Sequence, residues 1–217
     1  MTAAERRQKI LDEIASAAKL AGRNSSDVSL IAVSKTRSVS EIEELIAAGQ
    51  IDFGESRVQE ALEKWPAMLA HHSGVRLHCI GRLQSNKAAE AVKLFDVIHS
   101  IDRLSLLEAL LKESEKSDRR PAVYVQVNIG DEEQKGGCPI GEVGSLVDAV
   151  RASPLSLAGL MAIPPLDVEP APFFALLAKL AADHDVEGLS MGMSGDFKPA
   201  VMLGATAVRI GTVLFED

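Results

Sequence analysis

The sequence predicts an α/β fold: a single parallel (β/α)8 barrel of the TIM type with an extra helix at its N-terminus. Short β-branched runs alternate with longer amphipathic segments, and the alternation occurs eight times within 217 residues. An open doubly wound sheet is the alternative that this alternation leaves open. Because no segment has the composition of a linker, we expect residues 1–217 to form one domain.

The elements follow one another in a regular order. An amphipathic stretch precedes the first strand, with apolar residues at helical spacing at Ile10, Ile14, Ala17 and Ala18. The predicted strands are residues 28–34, 50–54, 75–81, 95–100, 122–128, 155–160, 186–191 and 206–210. After the first strand, Ser40 and Glu43 fit a capping box at the start of a helix, and Gly49 fits its C-cap.

Composition excludes several classes of function. A net charge of -8 with 4% aromatic residues lacks the basic surface of a nucleic-acid-binding protein. No apolar run approaches the roughly 18 residues that a membrane-spanning helix needs, and none forms a signal peptide. The two cysteines, Cys79 and Cys138, form no disulfide framework, which is typical of a reducing compartment. We therefore expect a cytoplasmic protein that binds neither nucleic acid nor membranes.

In such a barrel the active site lies where the strands end, and Lys35 directly follows the first strand. An amine in the mouth of the barrel is expected to be partly desolvated, which favours its neutral form. The neutral amine attacks an aldehyde to give a Schiff base. The alternative is a solvated lysine at a strand end.

Two small-residue turns follow the seventh and eighth strands, SMGMSGD at 190–196 and RIGT at 209–212. Glycine lets the backbone approach a ligand closely, and the hydroxyls of Ser194 and Thr212 add donors, so the pair of turns indicates a phosphate site. Ordinary helix capping is the alternative. Arg209 lies beside these turns, where it could meet a ring nitrogen, a phosphate or a carboxylate inside the barrel.

Other candidates carry weaker signals. His71 and His72 fall in a helix-to-strand loop at the opposite end of the barrel. His78 and Cys79 are adjacent in a strand, so their side chains face opposite sides and cannot share a metal ion. We therefore predict no metal site. The remaining acids and thiol, which show no close pairing or nucleophile motif, are Glu55, Asp131, Asp196 and Cys138.

At these positions the chain closely resembles the pyridoxal phosphate homeostasis protein family, also called YggS or PROSC. Six segments carry the resemblance, in the family's order and through nearly the whole chain. They are LIAVSKT around Lys35, DFGESRVQEAL (52–62), LHCIGRLQSNK (77–87), VNIGDEEQKGG (127–137), LAGLMAIPP (157–165) and LSMGMSGDFKPAVMLGATAVRIGTVLF (189–215). The resemblance implies a fold type III barrel like the N-terminal domain of alanine racemase.

It also implies that Lys35 forms a Schiff base with pyridoxal 5'-phosphate (PLP). The cofactor contacts implied are Lys35, Ser56, Met191, Ser194, Gly195, Arg209, Gly211 and Thr212. Family members are thought to act in PLP homeostasis and delivery without robust catalysis, so we expect a monomer that hands PLP to PLP-dependent apo-enzymes. Whether it is an enzyme stays open.

Two enzymatic alternatives remain: a weak racemase-like PLP enzyme, and a Schiff-base aldolase acting on a sugar phosphate without a cofactor. A racemase needs a second acid/base group opposite its lysine, normally a tyrosine brought by a further domain. The only tyrosine here, Tyr124, lies within a predicted strand. This favours the carrier over the racemase.

The chain departs from the family pattern at both ends of the site. Ser56 and Arg57 stand where the family usually reads FGENYVQE, which is expected to loosen contacts to the cofactor ring. Glu216 replaces the family's usual glycine, and the chain stops at Asp217, which puts a C-terminal lysine contribution to secondary cofactor binding in doubt. Lys135 is expected in a mobile loop over the mouth, either as a transfer site or as a solvated lysine.

Overall fold

Eight parallel strands close into a barrel in the computed structural model, which describes residues 1–216. The strands pair in chain order and the eighth pairs with the first, so the predicted barrel is confirmed and the open sheet is wrong. The strands are β1 (Ser29–Val33), β2 (Asp52–Glu55), β3 (Arg76–Cys79), β4 (Val97–Ile101), β5 (Ala122–Gln126), β6 (Leu157–Met161), β7 (Leu189–Met193) and β8 (Ala207–Ile210).

A layer of helices surrounds the barrel. The helices are α1 (Ala3–Leu20), α2 (Val39–Ala47), α3 (Val58–His71), α4 (Ala88–Leu94), α5 (Leu104–Ser117), α6 (Val143–Arg151), α7 (Ala171–Asp183), α8 (Phe197–Met202) and α9 (Thr212–Phe215). Short 3-10 turns occur at Ser25–Asp27, Ser85–Lys87 and Ile140–Glu142. In the described part of the chain, no helix combines the length and apolarity that crossing a membrane requires.

The N-terminal helix compensates for the shortness of α9. Four residues are too few to cover β8 and β1, and α1 packs instead against α8 and α9. Its apolar stripe is buried as predicted. Arg6 Nε donates to the carbonyl of Leu214 at 2.8 Å, and an Arg23 guanidinium N–H donates to that of Val201 at 2.7 Å. Helix α1 is therefore part of the barrel wall.

The observed strand boundaries differ from the predicted ones by up to three residues, and two element starts show why. The second strand begins at Asp52 rather than residue 50, because the Gln50 N–H donates to the carbonyl of Leu45 in α2 at 2.9 Å. The buried side chain of Gln50 donates to the carbonyls of Leu30 at 2.6 Å and Asp52 at 2.8 Å. Helix α2 begins after Ser38, whose hydroxyl accepts from the Glu41 N–H, so the predicted box at Ser40 was wrong. Ser38 and Ser40 each precede a glutamate by three residues, so spacing alone does not distinguish them.

The space inside the barrel is polar at its centre. Five buried polar side chains from four strands and the start of β2 meet there, namely Asp52, His78, His99, Ser190 and Arg209. Large apolar side chains fill the layer between strands and helices instead, among them Phe53, Trp65, Phe95 and Phe174. Branched aliphatic residues usually fill this kind of barrel, so a polar interior indicates a function beyond packing.

Candidate functional site

Lys35 lies on a sharp turn at the mouth of the barrel, two residues after β1. Val33 faces the barrel interior against Gly211, and side-chain alternation places Lys35 on the same side. Thr36 adopts a left-handed conformation with φ of 63°, which turns the chain away from the strand. Lys35 is exposed as a result.

Glu55 anchors this turn from behind the sheet. Its Oε1 accepts from the Ser34 hydroxyl at 2.8 Å and from Trp65 Nε1 at 2.9 Å, and it pairs with Lys64 Nζ at 2.9 Å. The carboxylate is fully buried, and its Oε2 has no hydrogen-bond partner among the described residues. Glu55 is three residues from Asp52, so it faces the helix layer and not the mouth. Its role is structural rather than acid/base.

Helix α3 holds the other half of the turn. Glu60 Oε1 accepts from the Thr36 N–H at 2.6 Å, and Lys64 Nζ donates to the carbonyls of Ser34 at 2.9 Å and Arg37 at 3.3 Å. Burial raises the pKa of Glu60, but the bonds from Thr36 and Lys64 outweigh it and lower that pKa. The backbone around Lys35 is thus held on both sides. Sequence reasoning missed Glu60 and Lys64, whose spacing of four along one helix was the available signal.

The turns after β7 and β8 form one cradle. The Gly211 N–H donates to the Ser194 hydroxyl at 3.4 Å, which links the turns. The N–H groups of Ser194 and Gly195 donate to no acceptor within residues 1–216, and Thr212 opens α9, where helical N–H groups have no internal partner. A Cβ added to Gly195 would meet nothing within 4 Å. Free donors, hydroxyls and space fit a phosphate group.

Asp196 builds the first of these turns. Its Oδ1 accepts from the Met193 N–H at 2.5 Å, and it occupies the N-cap position of α8, so the alternative of Ser194 as the N-cap was wrong. Gly192 has φ of 93°, and a Cβ there would lie 2.6 Å from that of Ala200. Met191 is fully buried in the hydrophobic core and does not line the mouth.

Arg209 lies buried below the cradle. One guanidinium N–H donates to the Ser190 hydroxyl at 2.5 Å, and another donates to the carbonyl of Ala162, just past the end of β6, at 3.0 Å. No carboxylate forms an ion pair with it in the described chain, so of the three partners expected for it the carboxylate is not found. Burial lowers the pKa of Arg209 to about 10. Because Ala162 directly follows the end of β6, its bond with Arg209 places the guanidinium toward the carboxyl ends of the strands.

Sequence reasoning missed the histidines below Arg209. His99 bonds both His78 and the Ser190 hydroxyl, each at 2.9 Å. Tyr124 stacks on His99 with ring centroids 4.3 Å apart, so the only tyrosine lies inside the barrel and not at the mouth. Burial is the main cause that holds the pKa of His99 well below its ordinary value. These residues come from separate strands, and no local pattern joins them.

Ser56 and Arg57 lie on the rim of the mouth. They line a cleft of about 280 Å³ that also includes Arg82 and Lys87. The carbonyl of Ser56 packs against Gly81, where a Cβ would lie 2.0 Å from the oxygen, so the loops after β2 and β3 touch. Arg57 therefore adds to a cationic rim that Arg82 and Lys87 also form on this side of the mouth.

The loop that carries Lys135 is held down rather than free. Lys135 Nζ donates to the carbonyl of Pro164 at 3.0 Å and pairs with Glu132 at 2.5 Å. The loop's end is joined to the chain after β5 by a bridge between Val127 and Cys138. The expectation of a mobile loop does not agree with these contacts.

The C-terminal replacement has a clear contact. Glu216 pairs with Arg37 in the segment after β1, and Arg37 lies 5.1 Å from the centre of the Phe215 ring. The hydrogen bond that Arg37 donates to Glu216 is the main cause that raises the pKa of Arg37. Glu216 thus ties the end of α9 to the Lys35 turn. Asp217 lies outside the described residues.

The remaining candidates lie away from the mouth. His71 and His72 end α3 at the opposite face, as expected. Cys79 and Cys138 are free and buried, and burial raises the pKa of each thiol to about 12. Within residues 1–216, no group of three histidine, cysteine or acidic residues has metal-binding geometry. Asp131 is exposed and adopts a left-handed conformation with φ of 52°.

Comparisons with known proteins agree with this geometry. The family model described as "Alanine racemase, N-terminal domain" matches residues 8–217. A pyridoxal phosphate homeostasis protein from Pseudomonas aeruginosa is 42% identical over 226 residues, covering 99% of this chain and 95% of the relative. The protein of the same name from Escherichia coli (strain K12) is 38% identical, covering 95% of this chain and 93% of the relative.

Solved structures of other proteins are also similar to this chain. PipY of Synechococcus elongatus PCC7942, with PLP bound, has a TM-score of 0.82 and 37% identity, covering 95% of this chain and 99% of PipY. An alanine racemase of Clostridium difficile 630 has a TM-score of 0.70 at 14% identity, covering 97% of this chain and 56% of the racemase, which shows the barrel fold alone. The chain therefore belongs to the pyridoxal phosphate homeostasis protein family.

Proposed function

We propose that this protein holds PLP on Lys35 at the mouth of the barrel and acts in intracellular PLP homeostasis and delivery. One observation carries the proposal. Strands β1 and β8 are neighbours in the closed barrel, so the turn that bears Lys35 lies beside the cradle of Ser194, Gly211 and Thr212. An amine beside a phosphate cradle suits a ligand that is both an aldehyde and a phosphate ester. The PLP bound to PipY, a relative of 37% identity, supports the choice of ligand.

Each group has a defined task in this proposal. When bound, PLP supplies an electrophilic aldehyde. Lys35 Nζ would hold PLP by condensing with this aldehyde, with loss of water. The N–H groups of Ser194 and Gly195 and the hydroxyl of Thr212 bind the phosphate, and Arg209 presents donors from below. Ser56 lies at the rim, where its short hydroxyl makes a looser contact than the family's amide.

The same geometry favours a carrier over a catalyst. Tyr124 is half-buried and stacks on His99 inside the barrel, so it is not placed to serve as the second acid/base group of a racemase. The exposed position of Lys35 gives water access to the attachment point, and water reverses the condensation. We infer that PLP exchanges from this site to PLP-dependent apo-enzymes. We also place the protein in the cytoplasm as a monomer, and the free thiols of Cys79 and Cys138 support a reducing compartment.

The test compares the visible absorption of PLP-treated wild-type protein with that of Lys35→Ala. Lys112→Ala is the matched control, because Lys112 is an exposed lysine on α5, away from the mouth. We expect the band of a lysine-bound PLP in the wild type and the control, and its loss in Lys35→Ala. A band that persists in Lys35→Ala would contradict the assignment. Absence of any band in the wild type would favour the aldolase alternative, and racemisation lost in Lys35→Ala would favour the weak enzyme.

A further inference from the structure

A continuous chain of hydrogen bonds crosses the barrel interior from Arg209 to Asp52. Arg209 bonds the Ser190 Oγ at 2.5 Å, and Ser190 Oγ lies 2.9 Å from His99 Nδ1. His99 Nε2 lies 2.9 Å from His78 Nδ1, and His78 Nε2 lies 3.0 Å from Asp52 Oδ1. All five residues are buried. The chain links the site at the mouth to the other end of the barrel.

The far end of this hydrogen-bond chain is the anionic side chain of Asp52. Arg76 donates to both carboxylate oxygens of Asp52, at 2.7 and 2.9 Å. Burial raises the pKa of Asp52, but the hydrogen bonds from His78 and Arg76 outweigh it and leave that pKa below its ordinary value. Asp52 is therefore ionised at neutral pH and can only accept hydrogen bonds.

Asp52 only accepts, so His78 carries a proton on Nε2. With His78 in its neutral form, its Nδ1 accepts from His99 Nε2–H, and the Ser190 hydroxyl then donates to His99 Nδ1. Arg209, which only donates, bonds the lone pair that Ser190 keeps. In this arrangement both rings are Nε2–H tautomers, and every bond points from Arg209 to Asp52.

We propose that Ser190, His99, His78 and Asp52 are positioning residues for Arg209. A buried guanidinium without a carboxylate partner is costly. The hydrogen-bond chain supplies the Ser190 oxygen as an oriented acceptor, and its last member is the negatively charged Asp52. It holds Arg209 with the rest of its N–H groups available below the cradle. The contact of those groups with PLP rests on the proposed function, whereas the orientation of Arg209 does not.

The first test reads the proton positions in cofactor-free protein. Long-range 1H–15N correlation spectra of the imidazole rings at neutral pH are expected to show Nε2–H tautomers for both His78 and His99. An Nδ1–H tautomer or a doubly protonated ring at either position would overturn the proposal. This result does not depend on PLP binding, so a failure of the proposed function leaves it readable.

The second test separates hydrogen bonding from packing. His99→Leu breaks the chain, whereas His99→Gln supplies an acceptor for Ser190 and a donor for His78; both lose the ring stack on Tyr124. We expect the Arg209 guanidinium protons to exchange about tenfold faster in His99→Leu, as for the loss of one hydrogen bond to a charge. PLP affinity is expected to fall about tenfold as well. His99→Gln is expected to restore both.

Equal behaviour of the Leu and Gln variants would overturn the proposal, because packing alone would then explain both. If His99→Leu does not fold, Ser190→Ala breaks the bond next to Arg209 with a smaller change in volume. Unchanged exchange of the Arg209 protons in Ser190→Ala would also overturn it. If wild-type protein does not bind PLP, the exchange rates still decide the inference, and only the proposed function fails.

Discussion

At the scale of single residues, the site depends on groups that do not touch the ligand. Lys35 could be predicted because it directly follows an apolar strand. Its exposure could not be predicted, because it results from the left-handed turn at Thr36 and from bonds made by Glu55, Glu60 and Lys64. Those partners lie 20 or more residues away in the sequence, and the spacing of four between Glu60 and Lys64 indicates a helical pair but not a contact with the Lys35 turn.

The pair of Glu55 and Lys64 gives the first prediction. Lys64→Met removes the cation from a fully buried carboxylate and two donors from the Lys35 turn. We expect the free energy of unfolding to fall by about 3 kcal/mol, the scale for leaving one buried charge unpaired. Urea unfolding measures it, with Lys112→Met as the control. A loss no larger than that of the control would show that the ion pair does not hold the turn.

At the scale of elements, the sequence predicted where helices and strands occur better than where they begin. The β-branched runs correctly gave eight strands. The start of α2 was wrong by two residues, because Ser38 and Ser40 both satisfy the capping spacing and only the backbone distinguishes them. The two late turns were recognised by their glycines, but the link between them, from Gly211 to the Ser194 hydroxyl, is a tertiary contact.

The cap of α2 can be tested directly. Ser38→Ala is expected to cost about 1 kcal/mol of stability, because the Glu41 N–H loses its acceptor. Ser40→Ala is expected to cost much less, since the Ser40 hydroxyl accepts no backbone N–H in the described structure. Equal losses in thermal unfolding of the two variants would contradict the observed cap.

The cradle gives a prediction about binding. Ser194→Ala removes a hydroxyl from the phosphate site and the partner of the Gly211 N–H. We expect PLP affinity to fall about tenfold, as for one lost hydrogen bond to a charged group, without a change in far-UV circular dichroism. Ser145→Ala, at an exposed position on α6, is the control. Unchanged affinity would place the phosphate elsewhere.

At the scale of the whole molecule, the barrel and the family could be predicted from the sequence, but the polar interior could not. His78 and His99 are 21 positions apart, and Ser190 lies 91 positions beyond His99. Only closure of the barrel brings them together. Sequence reasoning therefore recognised the groups that follow strand ends, and Arg209, but not the hydrogen bonds that join Arg209 to His99, His78 and Asp52.

This interior makes stability depend on pH. His99 has a lowered pKa when folded and an ordinary pKa of about 6.5 when unfolded, so the unfolded chain binds more protons below that pH. The contribution of His99 to the free energy of unfolding is full above about pH 6.5, and it is lost as the pH falls toward the pKa of His99 in the folded protein. Urea midpoints measured on either side of this range are expected to drop with acid in the wild type and less in His99→Gln. An equal drop in both would assign the effect to other groups.

The most direct measurement of the central claim is the site of covalent attachment. Wild-type protein is incubated with PLP, reduced with borohydride and digested, and the modified peptide is sequenced by mass spectrometry. We expect one pyridoxyl group, on Lys35, because its amine is the one beside the cradle. A label on Lys135, or labels scattered over exposed lysines, would contradict the account.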